Sequence, residues 1–199
     1  MFIFTRTELL SVSRQILVFI GFIVYATLLT ANDSPSLQAL STSAVQNGWK
    51  AFEEDKNPDE ALIHFNHAIL LDERSGKAYF AAGYVNQAKG EFDTAFDFYS
   101  QSLKYQPDYP STHMNMGLIM LRKGKMDESL RLFERARSLA PGNGKIYANL
   151  AMWYYMNKRY AEAWNAVKDA RSRQGSVNPR LLEALKEKLP EPEPGSAGG

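Results

Sequence analysis

The sequence predicts an all-α protein built from about four repeated helix pairs. Gly83 and Pro107 recur 34 residues later as Gly117 and Pro141, and a fixed period of this length is typical of repeat proteins. Small residues recur on the same period. Each is followed four residues later by a large apolar residue, which places both on one helical face. Together these observations favour stacked helix pairs over a sheet or a closed bundle.

Repeated positions define where each helix of a pair begins and ends. Gly90 and Gly124 fall between the two helices of their pairs, where a residue without a Cβ atom can end a helix. Pro107 and Pro141 mark the exits, because proline cannot continue a helix. The predicted pairs are 44–54 with 58–71, 76–89 with 92–105, 110–123 with 126–139, and 144–157 with 160–173.

The second helix of each pair carries a recurring set of side chains. A small residue comes first, then a large apolar residue, then another small residue three positions later. The three slots contain Ala61, Ala95, Ser129 and Ala163, then Phe65, Tyr99, Phe133 and Val167, then Ala68, Ser102, Ala136 and Ala170. Small residues let two helices approach closely while the large residue fills the space beside them, so we expect these positions to form the core.

This pattern resembles the tetratricopeptide repeat (TPR) family, whose period is 34 residues with an Ala-x3-Phe segment and a closing Pro. The resemblance covers residues 42–175. It implies a right-handed superhelix, here a TPR domain at 44–175, in which the first helix of each pair lines a concave groove. Asn86 and Met120 depart from the Tyr that the family pattern has after its Gly.

Residues 176–189 are predicted to cap the last repeat. Pro179 opens a short helix whose Leu181, Leu182, Leu185 and Leu189 lie on one stripe. Glu and Lys side chains between them supply the polar outer face that the end of a solenoid needs. The following residues, 190–199, are rich in Pro, Glu, Gly and Ser, and we expect a disordered tail there.

Residues 1–31 are predicted to be a targeting segment. Arg6 and Arg14 precede an apolar run, and Ala31 is a small residue suited to a cleavage site. The uncharged span at 15–32 has 18 residues, near the lower limit of about 17–25 residues for a membrane-spanning helix. A cleaved signal peptide and an uncleaved membrane anchor at 16–31 are both compatible with this pattern.

Both readings of the N-terminal segment give the same topology. Its arginines favour the cytoplasmic side of a membrane, so we expect the repeats to be exported and to lie in a periplasmic or other extracytoplasmic space. Residues 32–43 are polar and Ser-rich and are predicted to be a linker, with helix only near its end.

Overall composition bounds the function. The chain has 199 residues, 45% hydrophobic residues and a net charge of +1, so no basic excess points to nucleic acid. It has no cysteine, which excludes disulfides and thiolate metal sites. His64 and His67 lie three residues apart, but no further ligand set accompanies them. With no nucleophile and base arrangement, the sequence predicts neither an enzyme nor a cofactor or metal site.

A peptide-binding groove is the remaining candidate site. With the first helices lining the concave side, as the TPR resemblance implies, helical phase makes a largely apolar and aromatic set groove-facing, Val45, Gln87 and Met156 included. The residues predicted to form the peptide-binding groove are Trp49, Phe52, Phe80, Tyr84, Met114, Leu118, Leu121, Arg122, Met152 and Tyr155. Tyr and Trp are good interface anchors, and Met adapts to irregular partners.

The groove composition predicts the kind of partner. TPR proteins that clamp carboxylate tails place Lys, Asn and Arg where this chain has Phe80, Tyr84, Met114 and Leu118. We therefore expect an apolar or amphipathic peptide segment, bound by a non-enzymatic adaptor that helps to assemble a protein complex. Two alternatives stay open, a homo-oligomeric structural scaffold and an accessory subunit of a membrane complex. The oligomeric state and the partner's identity do not follow from the sequence.

Overall fold

The computed structural model describes residues 36–192, which contain nine helices and no strand. The helices are α1 (Leu37–Glu53), α2 (Pro58–Leu71), α3 (Gly76–Lys89), α4 (Phe92–Tyr105), α5 (Pro110–Arg122), α6 (Met126–Leu139), α7 (Gly144–Met156), α8 (Tyr160–Ser172) and α9 (Pro179–Lys188). The first eight form four consecutive pairs, and α9 follows the last pair. The predicted all-α class, with about four helix pairs and a capping helix, is confirmed.

Two compact units divide the chain, 1–40 and 41–199. Of the first unit, only 36–40 belong to the described residues. The predicted targeting segment at 1–31 and most of the predicted disordered tail lie outside the described residues. Within 36–192, no helix is long and apolar enough to cross a membrane.

Helix α1 begins at Leu37, earlier than the predicted start at residue 44. The backbone N–H of Ala39 donates a hydrogen bond to Ser36 Oγ at 3.1 Å, and a serine in this position satisfies a donor that the helix itself leaves free. Residues 37–43 of the predicted linker are therefore helical. The Ser-rich composition did not indicate which serine begins the helix, although the side chain of Ser36 stabilises its first turn.

Inside three of the pairs, a glycine of the first helix faces an aromatic ring of the second. A Cβ atom on Gly48 would lie 2.4 Å from Phe65, one on Gly83 would lie 2.8 Å from Tyr99, and one on Gly117 would lie 2.7 Å from Phe133. These distances are too short for a side chain, so each glycine lets the ring pack directly on the helix backbone. The rings are fully buried.

The turn inside every pair contains one residue in the left-handed region. Gly90 and Gly124 have φ of 85° and 74°, which confirms their predicted role at the helix ends. Lys56 and Lys158 occupy the equivalent turns of the first and fourth pairs, with φ of 54° and 59°. The backbone of all four turns is therefore alike although only two of them carry glycine.

Helix α9 covers the end of the last pair as predicted. Leu185 is fully buried in the C-terminal core cluster, which extends from α5 to α9, and Leu181, Leu182 and Leu189 pack partly buried against that cluster. The indole Nε1 of Trp164 donates a hydrogen bond to the carbonyl oxygen of Leu189 at 2.9 Å. Apolar packing and this bond together fix the cap on α8.

Candidate functional site

Aromatic side chains from α1 and α3 form a continuous cluster. The ring of Trp49 lies 6.3 Å from Phe52 and 5.4 Å from Tyr84, measured between centroids, and Phe52 lies 5.8 Å from Tyr84. Phe80 lies 6.2 Å from Tyr84 and 4.9 Å from Tyr109. Most of these pairs meet edge to face, a favourable geometry for aromatic rings. Four predicted groove residues, Trp49, Phe52, Phe80 and Tyr84, are thereby brought together.

These four side chains differ in how much surface they offer. Tyr84 is 39% exposed, whereas Phe80 is only 9% exposed. Trp49 and Phe52 are half-buried. Phe80 therefore supports the cluster from below, and a partner would contact mainly Tyr84 with parts of Trp49 and Phe52.

A second set of predicted residues lines a cavity between α5 and α7, which we call the α5–α7 cavity. It is open to solvent and has a volume of about 370 Å³. Its lining residues are Gln87, Phe92, Leu118, Ile119, Leu121, Arg122, Met152 and Met156. Leu121 is buried and lies at the base, whereas Met156 is 46% exposed. Four of the predicted groove residues, Leu118, Leu121, Arg122 and Met152, thus share one apolar depression.

Two predicted groove residues lie outside both sets. Met114 and Tyr155 are half-buried and pack against the C-terminal core cluster. The ring of Tyr155 lies 5.8 Å from that of Tyr160. Neither side chain lines the α5–α7 cavity, so their first contribution is to the packing of the last two repeats.

Arg122 is the charged group of the α5–α7 cavity. Its guanidinium lies 4.3 Å from the centroid of the Phe92 ring, within the range of an attractive cation–π contact. Among residues 36–192 it forms no ion pair or hydrogen bond. The next residue, Lys123, pairs with Asp93 instead, and Lys89 at the end of α3 pairs with Asp59 at 2.7 Å.

A buried chain of hydrogen bonds fixes the other polar group of the cavity, Gln87. Asn115 Nδ2 donates to the hydroxyl oxygen of Tyr99 at 3.1 Å, and that hydroxyl donates to Gln87 Oε1 at 2.9 Å. Desolvation raises the pKa of Tyr99 well above its usual 10.0, so the hydroxyl keeps its proton. Gln87 Oε1 thus accepts one hydrogen bond from within the fold, and its Nε2 amide group remains as a hydrogen-bond donor at the cavity.

The sequence located part of this cavity. Gln87 and Met156 were expected to face the groove by helical phase, and both belong to the cavity lining. Phe92 and Ile119 were missed, since neither lies on the predicted inner face. Phe92 begins α4, and only the pairing of helices brings its ring beneath Arg122. The contact between Phe92 and Arg122 orients the arginine, and the repeat period does not predict this contact.

The three histidines show no sign of metal chemistry in the described region. Within 36–192, no group of three His, Cys, Asp or Glu side chains could hold a metal ion. His113 Nε2 hydrogen-bonds the carbonyl oxygen of Pro107 at 2.7 Å. In the next repeat, the Tyr147 hydroxyl donates to Pro141 in the same register at 3.0 Å. His113 thus ties the start of its helix to the preceding proline.

Comparison with known proteins agrees with the helix pairs. Two family models described as tetratricopeptide repeat match this chain, one at residues 76–109 and one at residues 120–189. The chain contains tetratricopeptide repeats over these residues. Solved structures share its fold, with a crystal structure of MamA matching at 21% identity and a TM-score of 0.59, over 87% of this chain and 96% of that one. The Pseudomonas aeruginosa pilF structure matches at 17% identity and 0.67, over 78% and 70%.

Curated relatives of this chain resemble it over their repeats. Human Protein O-mannosyl-transferase TMTC1 is 30% identical over 115 residues, 56% of this chain and 13% of the relative. BBSome complex member BBS4 of Bos taurus is 29% identical over 53% of this chain and 20% of the relative. Photosystem I assembly protein Ycf3 of Prochlorococcus marinus is 27% identical over 47% and 56%. The chain thus spans between 13% and 56% of the length of these relatives.

Proposed function

We propose that this protein is a non-enzymatic adaptor that binds an apolar or amphipathic segment of another protein and thereby assists the assembly of a complex. The observation that carries the proposal is the open α5–α7 cavity, where Leu118, Met152 and Met156 offer apolar surface. A contiguous apolar surface of this kind marks interaction sites on soluble domains. The names of several relatives, a BBSome member, subunits of an anaphase-promoting complex and a photosystem I assembly protein, support a role in complexes.

Side-chain chemistry explains why such a surface suits a peptide. Methionine has a flexible, polarisable side chain that adapts to different apolar partners. The aromatic cluster around Tyr84 adds rigid rings that lose little conformational entropy on binding. A segment lying along the first helices would meet Tyr84 and then the α5–α7 cavity, so both sets of predicted residues contribute to one groove.

Export of the repeats belongs to the same proposal. Arginines followed by an uncharged apolar run at 16–29 support either a cleaved signal peptide or an anchor. Sequencing the N terminus of the purified protein distinguishes these two forms. An intact N terminus favours an accessory subunit held beside a membrane complex, and a new N terminus near residue 32 favours a soluble exported adaptor. Protease added to cells whose outer envelope is permeabilised but whose cytoplasmic membrane is intact should digest the repeats, and repeats that are digested only after full lysis would contradict export.

Charge substitutions in the groove test the adaptor role. We expect Leu118→Asp and Tyr84→Asp each to abolish co-purification of specific partners with the full-length protein, with helix content unchanged by circular dichroism. Leu70→Asp is the matched control, because Leu70 is 79% exposed on α2 and away from the groove. Partners retained by both groove variants would contradict the proposal.

Self-association is the second candidate, and one observation favours it. Ile63 and Leu70 lie two helical turns apart on α2 and are 68% and 79% exposed, so two apolar side chains share one exposed side of this helix, called here the α2 stripe. A homo-oligomeric scaffold would bury that stripe between copies. Sedimentation of the full-length protein across concentrations, with Leu70→Asp and Leu118→Asp compared, separates the two candidates. Dissociation caused only by Leu70→Asp would favour the scaffold.

A further inference from the structure

We propose that the α5–α7 cavity selects an acidic amphipathic segment, in which an Asp or Glu side chain lies three or four residues from a large apolar side chain. The apolar side chain enters the cavity, and the carboxylate is held by Arg122 and Gln87. The inference rests on the proposed adaptor function and specifies the partner chemistry that the groove takes.

Charge is the first reason. Arg122 is the cation at the cavity that lacks an anionic partner among residues 36–192, whereas the adjacent Lys123 is paired with Asp93. Stacking on Phe92 orients the planar guanidinium. Its N–H groups point outward from the plane's edge, and this fork matches the geometry of a carboxylate.

Donor polarity is the second reason. Gln87 Oε1 already accepts a hydrogen bond from the Tyr99 hydroxyl. Asn115 donates to the oxygen of the same hydroxyl, so the hydroxyl directs its own hydrogen toward Gln87. The Gln87 amide nitrogen therefore adds donors, and arginine has donors only. Arg122 thus presents donors only, and Gln87 presents its amide N–H groups while its oxygen already accepts one hydrogen bond. A partner group that carries acceptors and negative charge is therefore satisfied there better than a Lys or Arg side chain, which would meet the charge of Arg122.

Size and spacing complete the argument. The cavity volume of about 370 Å³ lies within the range of about 300–1,000 Å³ found for ligand pockets. Leu118 and Arg122 are one helical turn apart on α5, so an apolar side chain of the lining and the arginine leave the helix about one turn from each other. A partner segment matches this separation when its apolar and acidic side chains are three or four residues apart on a helix.

Selection from a random phage-displayed peptide library tests the inference, with the full-length protein in detergent micelles as bait. With the unmodified protein, we expect enriched peptides to carry Asp or Glu three or four residues from Leu, Met or Phe. With Arg122→Gln, acidic enrichment should fall to the level of the starting library while the apolar preference persists. Arg131→Gln removes the same charge from an exposed position on α6 and should leave the selection unchanged.

Affinities of synthetic peptides then give the magnitude. The strongest peptide is synthesised with an amidated C terminus, labelled with fluorescein, and compared by anisotropy with its Glu→Gln analogue. We expect the acidic peptide to bind about tenfold more tightly, since a hydrogen bond to a charged group contributes that much or more. Arg122→Gln should remove the difference and leave the affinity for the analogue unchanged.

The outcomes separate the two proposals. Equal affinities for the two peptides, or a loss as large with Arg131→Gln, would overturn the acidic preference and leave the groove in place. Binding that disappears on amidation would show that a chain-terminal carboxylate is recognised, which also overturns it. If selection on the unmodified protein and on Leu118→Asp enriches the same peptides, or none, the groove proposal itself fails together with the inference.

Discussion

At the residue scale, the turn within each helix pair imposes one backbone conformation on four different residues. Gly90 and Gly124 adopt a positive φ without steric cost, whereas Lys56 and Lys158 hold the same conformation with a side chain. Left-handed backbone costs an ordinary residue about 1–2 kcal/mol. The backbone at these two lysines is therefore strained. The sequence indicates this only when the four turns are aligned on the repeat period, which places Lys56 and Lys158 at the positions of Gly90 and Gly124.

Replacing such a lysine by glycine should stabilise the protein. We expect Lys158→Gly to raise the free energy of unfolding by about 1 kcal/mol, because the strain removed exceeds the extra entropy of glycine in the unfolded chain. Urea denaturation followed by circular dichroism measures the change. Gly124→Ala, at the equivalent turn, should destabilise by a similar amount. If both variants shift stability in the same direction, backbone strain does not govern these turns.

The contact between Gly117 and Phe133 makes the second prediction. A methyl group on Gly117 would lie 2.7 Å from the ring, so Gly117→Ala should cost about 1–3 kcal/mol through overpacking, although alanine favours helix. Phe133→Val alone leaves a cavity. The fourth repeat carries Ala151 and Val167 at these two positions, so the double variant should be more stable than the sum of the single losses predicts.

A double-mutant cycle measures this coupling directly. Residues in contact show interaction energies of about 0.5–3 kcal/mol. The control is Gly142→Ala, where a Cβ atom meets nothing within 4 Å, and which we expect to be neutral or slightly stabilising. Additive losses for Gly117→Ala and Phe133→Val would mean that the two side chains are not matched in size.

Tyr99 makes the stability of the fold decrease at high pH. Desolvation raises the pKa of this buried hydroxyl above its usual 10.0, and the hydrogen bond from Asn115 opposes that change. Because the folded state holds the proton more tightly than the unfolded state, stability is complete below pH 10 and decreases as the pH rises above it. Tyr79 and Tyr109 shift in the same direction, so part of the decrease belongs to them.

Tyr99→Phe separates the contribution of this hydroxyl. At neutral pH the variant should lose about 1–3 kcal/mol, since Asn115 Nδ2 is left buried without its acceptor. Above pH 10 its stability should fall less steeply than that of the unmodified protein. Thermal melts at a series of pH values measure both effects. Parallel curves for the two proteins would contradict the role of Tyr99 in the pH dependence.

At the scale of elements, glycine and proline made the helices predictable. The bounds of α2 to α8 agree with those predicted to within a residue or two, because a breaker or a turn follows nearly every one of these helices. The start of α1 was not predicted, since its N-terminal signal is one serine within a stretch of serines. Helix ends can thus be predicted from the sequence where glycine or proline restricts the backbone. They are harder to predict where a side-chain hydrogen bond determines the end of the helix.

The candidate site was predictable only in part for a related reason. Helical phase identifies which face a side chain lies on, and of the residues it indicated, Leu118 and Met152 line the open cavity and Tyr84 is exposed. It does not show how deep a face lies, and Phe80 and Leu121 are nearly buried. The stacking of Arg122 on Phe92 and the hydrogen-bond chain to Gln87 depend on contacts between helices, so no single helix pattern contains them.

At the scale of the whole described chain, the core is divided unevenly. From α5 to α9, buried side chains form one continuous cluster that includes Phe133, Leu150, Trp164 and Leu185. From α1 to α5, the buried side chains separate into three smaller clusters. Each repeat of a solenoid contacts mainly its neighbours, so stability is a sum of local terms rather than a single value.

Weakening the packing of the capping helix α9 should therefore destabilise only the repeats near it. Leu185 is fully buried, and Leu185→Ala removes a core side chain at a cost of about 2–5 kcal/mol. In hydrogen-exchange mass spectrometry, we expect faster exchange in α7 to α9 and little change in α1 to α4, because the latter do not contact the cap. Leu182→Ala, at a half-buried position of the same helix, should give a smaller effect in the same region.

The exchange pattern also distinguishes two kinds of unfolding. Acceleration that fades with distance from α9 means that the repeats open from the end, as nearest-neighbour coupling requires. In that case the α5–α7 cavity lies next to the region that opens first, and Leu185→Ala should weaken peptide binding although Leu185 does not line the cavity. Equal acceleration in all nine helices would instead show one cooperative unit, and cap and groove would then be coupled only through global stability.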